Sequence, residues 1–207
     1  MRRAISTKNM FDKKDKVYEF DGLMLEIFGK ASRNGLWLIQ GEEKNGKTWG
    51  ALLIAKALSR FAKVHYISAE EGLELEFRAA VKRAGIVPED NIQWTEYEEI
   101  TDLNKRLRKQ RAPKIVVLDN LTHYNDELKG SGIKKLLADH PNTHFIALCH
   151  LENGVPYGSA AKMARKYCKR IITAKGLALI VAGRQKPKTI LIDEVKAKLY
   201  HGDSIKQ

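Results

Sequence analysis

The chain has 207 residues, 43% of them hydrophobic and 30% charged with only 5 prolines, which is typical of one globular domain and excludes collagen-like, low-complexity and disordered proteins. Its 37 Lys and Arg against 25 Asp and Glu give a net charge of +12, which fits either a polyanionic partner or a solvated basic surface. Two cysteines are too few for a disulfide framework, and no apolar run approaches the ~18 residues of a membrane span, so we expect a cytoplasmic protein with no membrane partner.

The first 20 residues are charged and aperiodic, which predicts an N-terminal arm before one domain of residues 21–207. Residues 20–28 are compatible with a short helix or a strand. Farther along, continuous apolar runs predict buried strands, and apolar spacings of three and four residues predict helices. The strand candidates are residues 36–40, 64–68, 115–118 and 145–149, and the helix candidates are residues 47–61, 73–84 and 103–111. This alternation predicts a parallel sheet with helices on both faces.

The C-terminal part has a different pattern. Residues 160–170 predict a helix, and three apolar segments follow at 170–173, 177–181 and 189–192. The intervals between these segments are too short for helices, so they predict an antiparallel hairpin that extends the sheet. The predicted fold class is α/β, with a mostly parallel central sheet and a C-terminal antiparallel extension.

Residues 41–48 match the pattern G-x-x-x-x-G-K-[ST] in full, between a predicted strand and a predicted helix. Glycines in such a loop let successive backbone N–H groups face phosphates, and the helix N-terminus adds positive potential. Lys47 is placed to reach the β- and γ-phosphates, and the Thr48 hydroxyl to bind Mg²⁺. We expect ATP and Mg²⁺ as cofactors, with nucleotide contacts from Gly41, Glu42, Glu43, Lys44, Asn45, Gly46, Lys47, Thr48 and Trp49.

Polar residues at the ends of three further strands complete the expected site, because ligands of open α/β sheets bind outside the carboxyl ends of the strands. Asp119 fits a carboxylate that holds Mg²⁺ through water, and a turn or helix-capping role is the alternative. Glu70 and Glu71 are placed to polarise a water for attack on the γ-phosphate. His150 is either a sensor of that phosphate or a structural histidine.

Four segments, taken in order, resemble the RecA-type P-loop ATPase core: residues 41–48, 66–70, 116–120 and 147–150. The resemblance spans roughly residues 20–200. His150 followed by residues 158–161 is similar to plasmid and phage RepA-like helicases and to core-only phage recombination proteins. The resemblance implies a RecA-like P-loop NTPase fold, ATP hydrolysis coupled to work on DNA, and a homo-oligomer in the form of a ring or filament.

The resemblance also implies catalytic roles. Glu70, rather than Glu71, matches the catalytic glutamate of that family, and Asp119 matches its Mg²⁺-associated aspartate. His150 lies where many members have a glutamine that reports the γ-phosphate to the DNA loops. Together with Lys47, these residues form the expected catalytic set.

Two further roles follow from the same resemblance. Phe77, or the neighbouring Arg78, is similar to a residue that stacks on adenine, and a core position is the alternative for Phe77. Lys196 and Lys198 resemble paired lysines that reach the nucleotide of a neighbouring subunit, and a pair of exposed lysines is the alternative. If Lys196 and Lys198 reach the nucleotide of a neighbouring subunit, the active site is completed between subunits.

In the RecA-type family two mobile loops hold DNA, and here they correspond to residues 120–132 and 151–159. Glycines in both segments favour mobility, and a tyrosine in each is able to stack on a base. Basic residues at i, i+3, i+4 and i+7 of the following helix share one face, which either binds phosphates or is simply solvated. The expected contacts with single-stranded DNA are Tyr124, Lys129, Tyr157, Lys162, Arg165, Lys166 and Lys169.

Three functions are compatible with these features. The leading one is a DNA-dependent ATPase of replication or recombination, of the helicase or recombinase type. The alternatives are a single-stranded-DNA-binding and annealing protein whose assembly ATP controls, and, less favoured, a small-molecule kinase. Residues 1–100 carry 16 basic and 16 acidic side chains, whereas residues 101–207 carry 21 and 9, so the charge excess favours an extended anionic ligand besides ATP.

Overall fold

The computed structural model describes residues 4–182 and 188–201 and contains one sheet covered by helices. The strands are β1 (Gly35–Gly41), β2 (Val64–Ser68), β3 (Ile92–Thr95), β4 (Ile115–Asp119), β5 (His144–Glu152), β6 (Val155–Pro156), β7 (Arg170–Lys175), β8 (Ala178–Ala182) and β9 (Lys188–Leu191). The helices are α1 (Thr7–Phe11), α2 (Gly22–Phe28), α3 (Lys47–Ser59), α4 (Leu75–Arg83), α5 (Ile100–Leu107), α6 (Asn125–Leu128), α7 (Gly132–Asp139), α8 (Ser159–Tyr167) and α9 (Glu194–His201). Within the described ranges, no helix is long and apolar enough to cross a membrane.

The strand order is β3-β2-β4-β5-β1-β7-β8-β9, and β6 pairs with the end of β5. Strands β1 to β5 are joined by parallel pairings, β7 pairs in parallel with β1, and β8 and β9 continue the sheet in antiparallel fashion. The predicted parallel α/β sheet with an antiparallel C-terminal extension is confirmed. The sequence did not predict β3, because it is a four-residue edge strand whose side chains are only partly buried.

Helix boundaries differ from the prediction at α5, which spans Ile100–Leu107 and not residues 103–111, and at α8. The helix expected over residues 160–170 ends at Tyr167, because Cys168 has an extended backbone and Arg170 opens β7. Residues 20–28, which the sequence left open, contain the helix α2 and not a strand.

Alternate residues of each central strand face opposite sides of the sheet, and both sides are buried. In β1, Trp37 and Ile39 pack into the cluster that contains α3, whereas Leu36 and Leu38 pack into the cluster that contains α5, α7 and α8. Because both faces require apolar side chains, these strands appear in the sequence as continuous apolar runs. This property made the central strands predictable.

Residues 4–16 are exposed, and the chain then enters the core. Tyr18 and Phe20, which the sequence analysis placed in the arm, are buried, and their rings stack with centroids 5.2 Å apart. These two aromatic residues anchor the segment that leads into α2.

His144, at the start of β5, is fully buried beneath this aromatic group. Its Nδ1 is hydrogen-bonded to the Tyr18 hydroxyl at 2.8 Å, and its ring lies edge-on to Trp37 with centroids 4.5 Å apart. Burial lowers the pKa of His144 to about 3, and the positive charges of Lys169 and Arg170 act in the same direction. The imidazole is therefore neutral in the folded protein.

We predict that His144 makes the protein lose stability in acid. Its contribution is complete above the unfolded-state pKa of about 6.5 and is lost as the pH falls from there towards the folded pKa of about 3, by about 1.4 kcal/mol per pH unit. His144→Gln removes this ionisable group. Its free energy of unfolding, measured in urea at pH 7, 6 and 5, should therefore fall less steeply with decreasing pH than that of the unmodified protein. His123→Gln, at an exposed position, is the control for the loss of a histidine. Equal slopes in all three proteins would contradict the prediction.

Candidate active site

The loop between β1 and α3 contains the sequence motif, and its glycines are required by its geometry. Gly46 has φ +88°, in the left-handed region that favours glycine. A Cβ atom at this position would lie 2.9 Å from Leu177 Cδ2 and 3.0 Å from Ile192 Cδ1. At Gly41, a Cβ atom would lie 2.5 Å from the carbonyl oxygen of Ala174. The loop can therefore pack against the β7–β9 region only with glycine at both ends.

The turn between β7 and β8 supports this loop by a direct hydrogen bond. The backbone N–H of Gly176 donates to Asn45 Oδ1 at 2.7 Å, and Asn45 Nδ2 donates to the carbonyl of Glu43 at 3.0 Å. Glu42, Glu43 and Lys44 are exposed at the outer side of the loop.

Lys47 opens α3 and is 7% exposed. Its Nζ donates to the carbonyl of Glu42 at 2.8 Å. Burial lowers the pKa of Lys47, while the carboxylates of Glu70 and Asp119 oppose that shift. The amine is thus held at the loop by a backbone oxygen, a contact that a phosphate oxygen can replace.

Asp119, at the end of β4, is 3% exposed and accepts a hydrogen bond of 2.7 Å from the Tyr66 hydroxyl. Burial raises the pKa of Asp119 to about 7, and hydrogen bonds from Tyr66 and Thr48 oppose that effect. A carboxylate beside a hydroxyl at the end of a phosphate loop matches the oxygen ligands that Mg²⁺ takes together with substrate phosphates. Thr48 and Asp119, the two predicted metal ligands, therefore fit this ion.

Glu70 and His150 meet across the ends of β2 and β5. Glu70 Oε1 lies 3.2 Å from His150 Nε2, and the Asn120 amide contacts both side chains. The sequence analysis did not single out Asn120, although its position directly after Asp119 at a strand end was an available signal. Glu71 is the other acid at this edge, and burial together with the charge of Glu70 raises its pKa.

The more exposed of these side chains line an open cleft of about 460 Å³. Its lining includes the predicted residues Lys44, Gly46, Lys47, Thr48, Glu70 and His150. Trp49 is half-buried at the same cleft, and the Arg83 guanidinium lies 5.0 Å from the centroid of its ring. Leu177, from the β7–β8 turn, is a lining residue that sequence reasoning missed, because only the folded sheet brings the hairpin to this edge.

Phe77 does not lie at this cleft. Its ring is 1% exposed and packs with Tyr66 and Trp94, each with centroids 5.7 Å away. The prediction that Phe77 stacks on adenine is wrong, because the inner face of α4 points it into the core. Arg78 is exposed on the same helix, so its nucleotide contact stays a prediction.

The first segment predicted to hold DNA is mostly folded. Tyr124 is fully buried, stacks on Tyr97 with centroids 5.3 Å apart, and donates to the carbonyl of Glu98 at 3.1 Å. The prediction that Tyr124 stacks on a base is therefore wrong for this structure. Lys129 is exposed and pairs with Asp126 at 3.0 Å.

The second segment is a β-hairpin and not an irregular loop. Strand β5 continues to Glu152 and pairs with β6 through a turn at Asn153 and Gly154, both with positive φ. Tyr157 follows the hairpin and is 48% exposed. The hairpin places this tyrosine beside α8.

Helix α8 presents three of the four predicted basic residues to solvent. Lys162, Arg165 and Lys166 are exposed, while the three alanines of the opposite face, Ala160, Ala161 and Ala164, are buried. Lys169 lies beyond the helix end, and its Nζ donates to Ser32 Oγ at 2.8 Å and Asn34 Oδ1 at 2.6 Å. The prediction that Lys169 belongs to the basic face is therefore wrong.

The paired lysines lie on α9 near the C-terminal end of the described chain. Lys198 Nζ is 2.6 Å from Glu194 Oε1, and Lys196 Nζ is 3.7 Å from Asp193 Oδ2. Both lysines are exposed, so their role between subunits stays a prediction.

No family model and no curated protein sequence matches the chain. Among solved structures, the KaiC-like protein PH0186 from the hyperthermophilic archaeon Pyrococcus horikoshii OT3 is similar, with a TM-score of 0.57 and 15% sequence identity. The alignment covers 85% of this chain and 90% of that chain. At this identity the likeness concerns the fold, and it supports the RecA-type α/β fold expected from the sequence.

We predict that Phe77→Leu lowers stability without affecting nucleotide binding. Loss of buried aromatic packing should reduce the free energy of unfolding by about 1–3 kcal/mol. Because the ring does not reach the cleft, the affinity for an ATP analogue should stay within about twofold, whereas a lost base stack would cost ~1–3 kcal/mol of binding. Urea unfolding and fluorescence titration measure the two quantities. A selective loss of affinity at unchanged stability would restore the stacking role.

Proposed function

We propose that this protein is a Mg²⁺-dependent P-loop ATPase that binds single-stranded DNA and acts in replication or recombination as a helicase or recombinase core. The observation that carries the proposal is that Lys47, Thr48 and Glu70 line one cleft at the carboxyl edge of the sheet, while the buried Asp119 interacts electrostatically with Lys47 and Glu70. The ends of two strands, β2 and β4, and the start of α3 contribute these groups, which together match the needs of phosphoryl transfer.

The phosphate loop supplies the binding part of this function. Backbone N–H groups of the loop and the N-terminus of α3 favour an anion, and Lys47 exchanges its contact with the Glu42 carbonyl for a phosphate oxygen. Thr48 and Asp119 would hold Mg²⁺, which, when bound, neutralises phosphate charge. The carboxylates of Glu70, Glu71 and Asp119 repel one another, and the positive charges of Lys47 and a bound Mg²⁺ would offset that repulsion.

Glu70 supplies the group that acts on water. Its side chain is 37% exposed and lies beside the His150 ring, so its carboxylate can orient a water towards the terminal phosphate. Glu71 lines the same cleft, but burial and the charge of Glu70 raise its pKa, which disfavours the charged form that would polarise a water. This difference favours Glu70 over Glu71 as the catalytic acid.

The face of α8 supports DNA as the second ligand. Among the residues that the structure describes, Lys162, Arg165 and Lys166 form no ion pair, and Tyr157, two residues before α8, is exposed. Phosphates spaced along a strand relieve the repulsion among the three cations, and an exposed tyrosine can stack on a base. The hydrogen bond from the Tyr157 N–H to the His150 carbonyl, 2.9 Å, joins this surface to the nucleotide cleft.

Oligomerisation is part of the proposal. Lys196 and Lys198 are exposed on α9 and contact only acids of their own helix and its lead-in among the described residues. We infer that they reach the nucleotide of a neighbouring copy in a ring or filament.

We predict ATP hydrolysis that single-stranded DNA stimulates and that depends on Lys47 and Glu70. Lys47→Ala should weaken nucleotide binding roughly 10- to 100-fold, because it removes a charge-assisted hydrogen bond. Glu70→Gln should bind ATP normally and hydrolyse it more slowly by a factor of roughly 100 or greater. Glu71→Gln tests the choice between the two acids, and Glu76→Gln, an exposed acid on α4, is the matched control.

The assay measures phosphate release with and without DNA over a range of protein concentrations, with molar mass determined in parallel. Specific activity should rise with concentration if neighbouring copies supply the lysines. Turnover no higher than that of Lys47→Ala would overturn the ATPase. If Glu70→Gln still anneals DNA strands as well as the unmodified chain, hydrolysis is incidental and the annealing alternative is favoured.

We predict that α8 binds DNA through phosphates. Affinity for a single-stranded oligonucleotide should fall roughly tenfold or more between 50 and 200 mM salt. Replacing Lys162, Arg165 and Lys166 with alanine should weaken binding to all sequences and lower the slope of log affinity against log salt by about 2. Replacing the exposed Arg108, Lys109 and Arg111 with alanine removes the same charge elsewhere and is the control. An equal loss in both triple variants would show a net-charge effect and reject α8 as the site.

A further inference from the structure

Asn120 lies between the two side chains proposed to act on the terminal phosphate. It is fully buried at the end of β4, and its Nδ2 contacts Glu70 Oε2 on one side and His150 Nε2, at 2.9 Å, on the other. Two amide hydrogens are available, which is one for each partner. The Asn120 NH₂ group therefore needs no further hydrogen-bond acceptor.

The orientation of this amide is determined by the backbone. Asn120 Oδ1 accepts a hydrogen bond of 2.8 Å from the Thr122 N–H, so the oxygen faces away from Glu70 and His150. Rotating the amide by half a turn would lose this bond and point an oxygen at the Glu70 carboxylate. The NH₂ group is thus the side that faces the cleft.

The backbone on either side of Asn120 is equally well anchored. The carbonyl of Asp119 accepts hydrogen bonds from the N–H groups of Ala69, 2.7 Å, and Glu70, 3.1 Å, and the Leu121 N–H donates to the carbonyl of Leu148 at 2.8 Å. These bonds tie the segment to the ends of both neighbouring strands. Asn120 is therefore a rigid support between two more exposed side chains.

The His150 ring depends on this support. Its Nδ1 is buried and has no hydrogen-bond partner among the residues that the structure describes, so its polar contacts there are Asn120 and Glu70 at Nε2. If Nε2 accepts the Asn120 amide hydrogen, the proton of the neutral ring lies on Nδ1, and the ring cannot donate to Glu70. Without Asn120, the ring is free to adopt the other tautomer and donate to the carboxylate.

We propose that Asn120 is a positioning residue that holds the Glu70 carboxylate and the His150 ring in a fixed mutual arrangement. This inference rests on the proposed ATPase, since it assigns a support to the residues that act on water and phosphate. Asn120 acts through these two side chains, so its loss affects the rate of hydrolysis and leaves the contacts of the phosphate loop in place.

The first test separates rate from binding. Asn120→Ala and Asn120→Asp both remove the NH₂ group, and each should lower kcat roughly 10- to 100-fold, as is common for residues that orient a catalytic group. The affinity for an ATP analogue should change by less than about twofold. Asn104→Asp, which keeps the oxygen that contacts His140, is the matched amide-to-acid control. An unchanged kcat, or an analogue affinity that falls in parallel with kcat, would overturn the positioning role.

The second test does not depend on hydrolysis. Nitrogen-15 NMR of the His150 ring reports which ring nitrogen carries the proton. In the unmodified chain Nε2 should be the unprotonated nitrogen, and in Asn120→Ala the population should shift towards protonated Nε2. Identical ring spectra in the two proteins would reject the proposal. This result stands even if the chain does not hydrolyse ATP, so failure of the ATPase and failure of the positioning role are distinguishable.

Discussion

The parallel register of the central strands is the constraint on which the rest of the structure depends. In β1 and β5, Gly41 lies opposite His150, and in β2 and β4, Ser68 lies opposite Asp119. Because these strands run in the same direction and end at the same edge, the residues that follow them share one cleft. A shift of one residue would exchange the two faces of the moved strand and separate the phosphate loop from its acids.

The cleft concentrates acidic groups around a single buried amine. Burial and the charges of neighbouring carboxylates raise the pKa values of Asp119 and Glu71, while the carboxylates of Glu70 and Asp119 favour the charged form of Lys47. Such an arrangement is costly to bury without cations and an anionic ligand that bridges them. The electrostatics of the fold are therefore consistent with a site that is completed by a metal nucleotide.

The antiparallel extension contributes more than an extra edge to the sheet. Its first turn donates a hydrogen bond to Asn45 and places Leu177 against Gly46, so the phosphate loop rests on β7 and β8. The β5–β6 hairpin also connects the cleft to another part of the chain, since it links His150 to the start of α8. Both hairpins connect the cleft to the half of the chain that carries the excess positive charge.

The sequence by itself determined the phosphate loop, the four buried central strands and the acids at their ends, because these depend on local spacing and on apolar runs. The tertiary structure decided which aromatic and basic residues are available to a ligand. Phe77 and Tyr124 are buried, Lys169 lies beyond the end of its helix, and Asn120 meets two partners that are 30 and 50 residues away along the chain. Local sequence patterns show which type of side chain occupies each position. Its exposure and its partners depend on how distant segments pack, and the sequence contains no local signal for that.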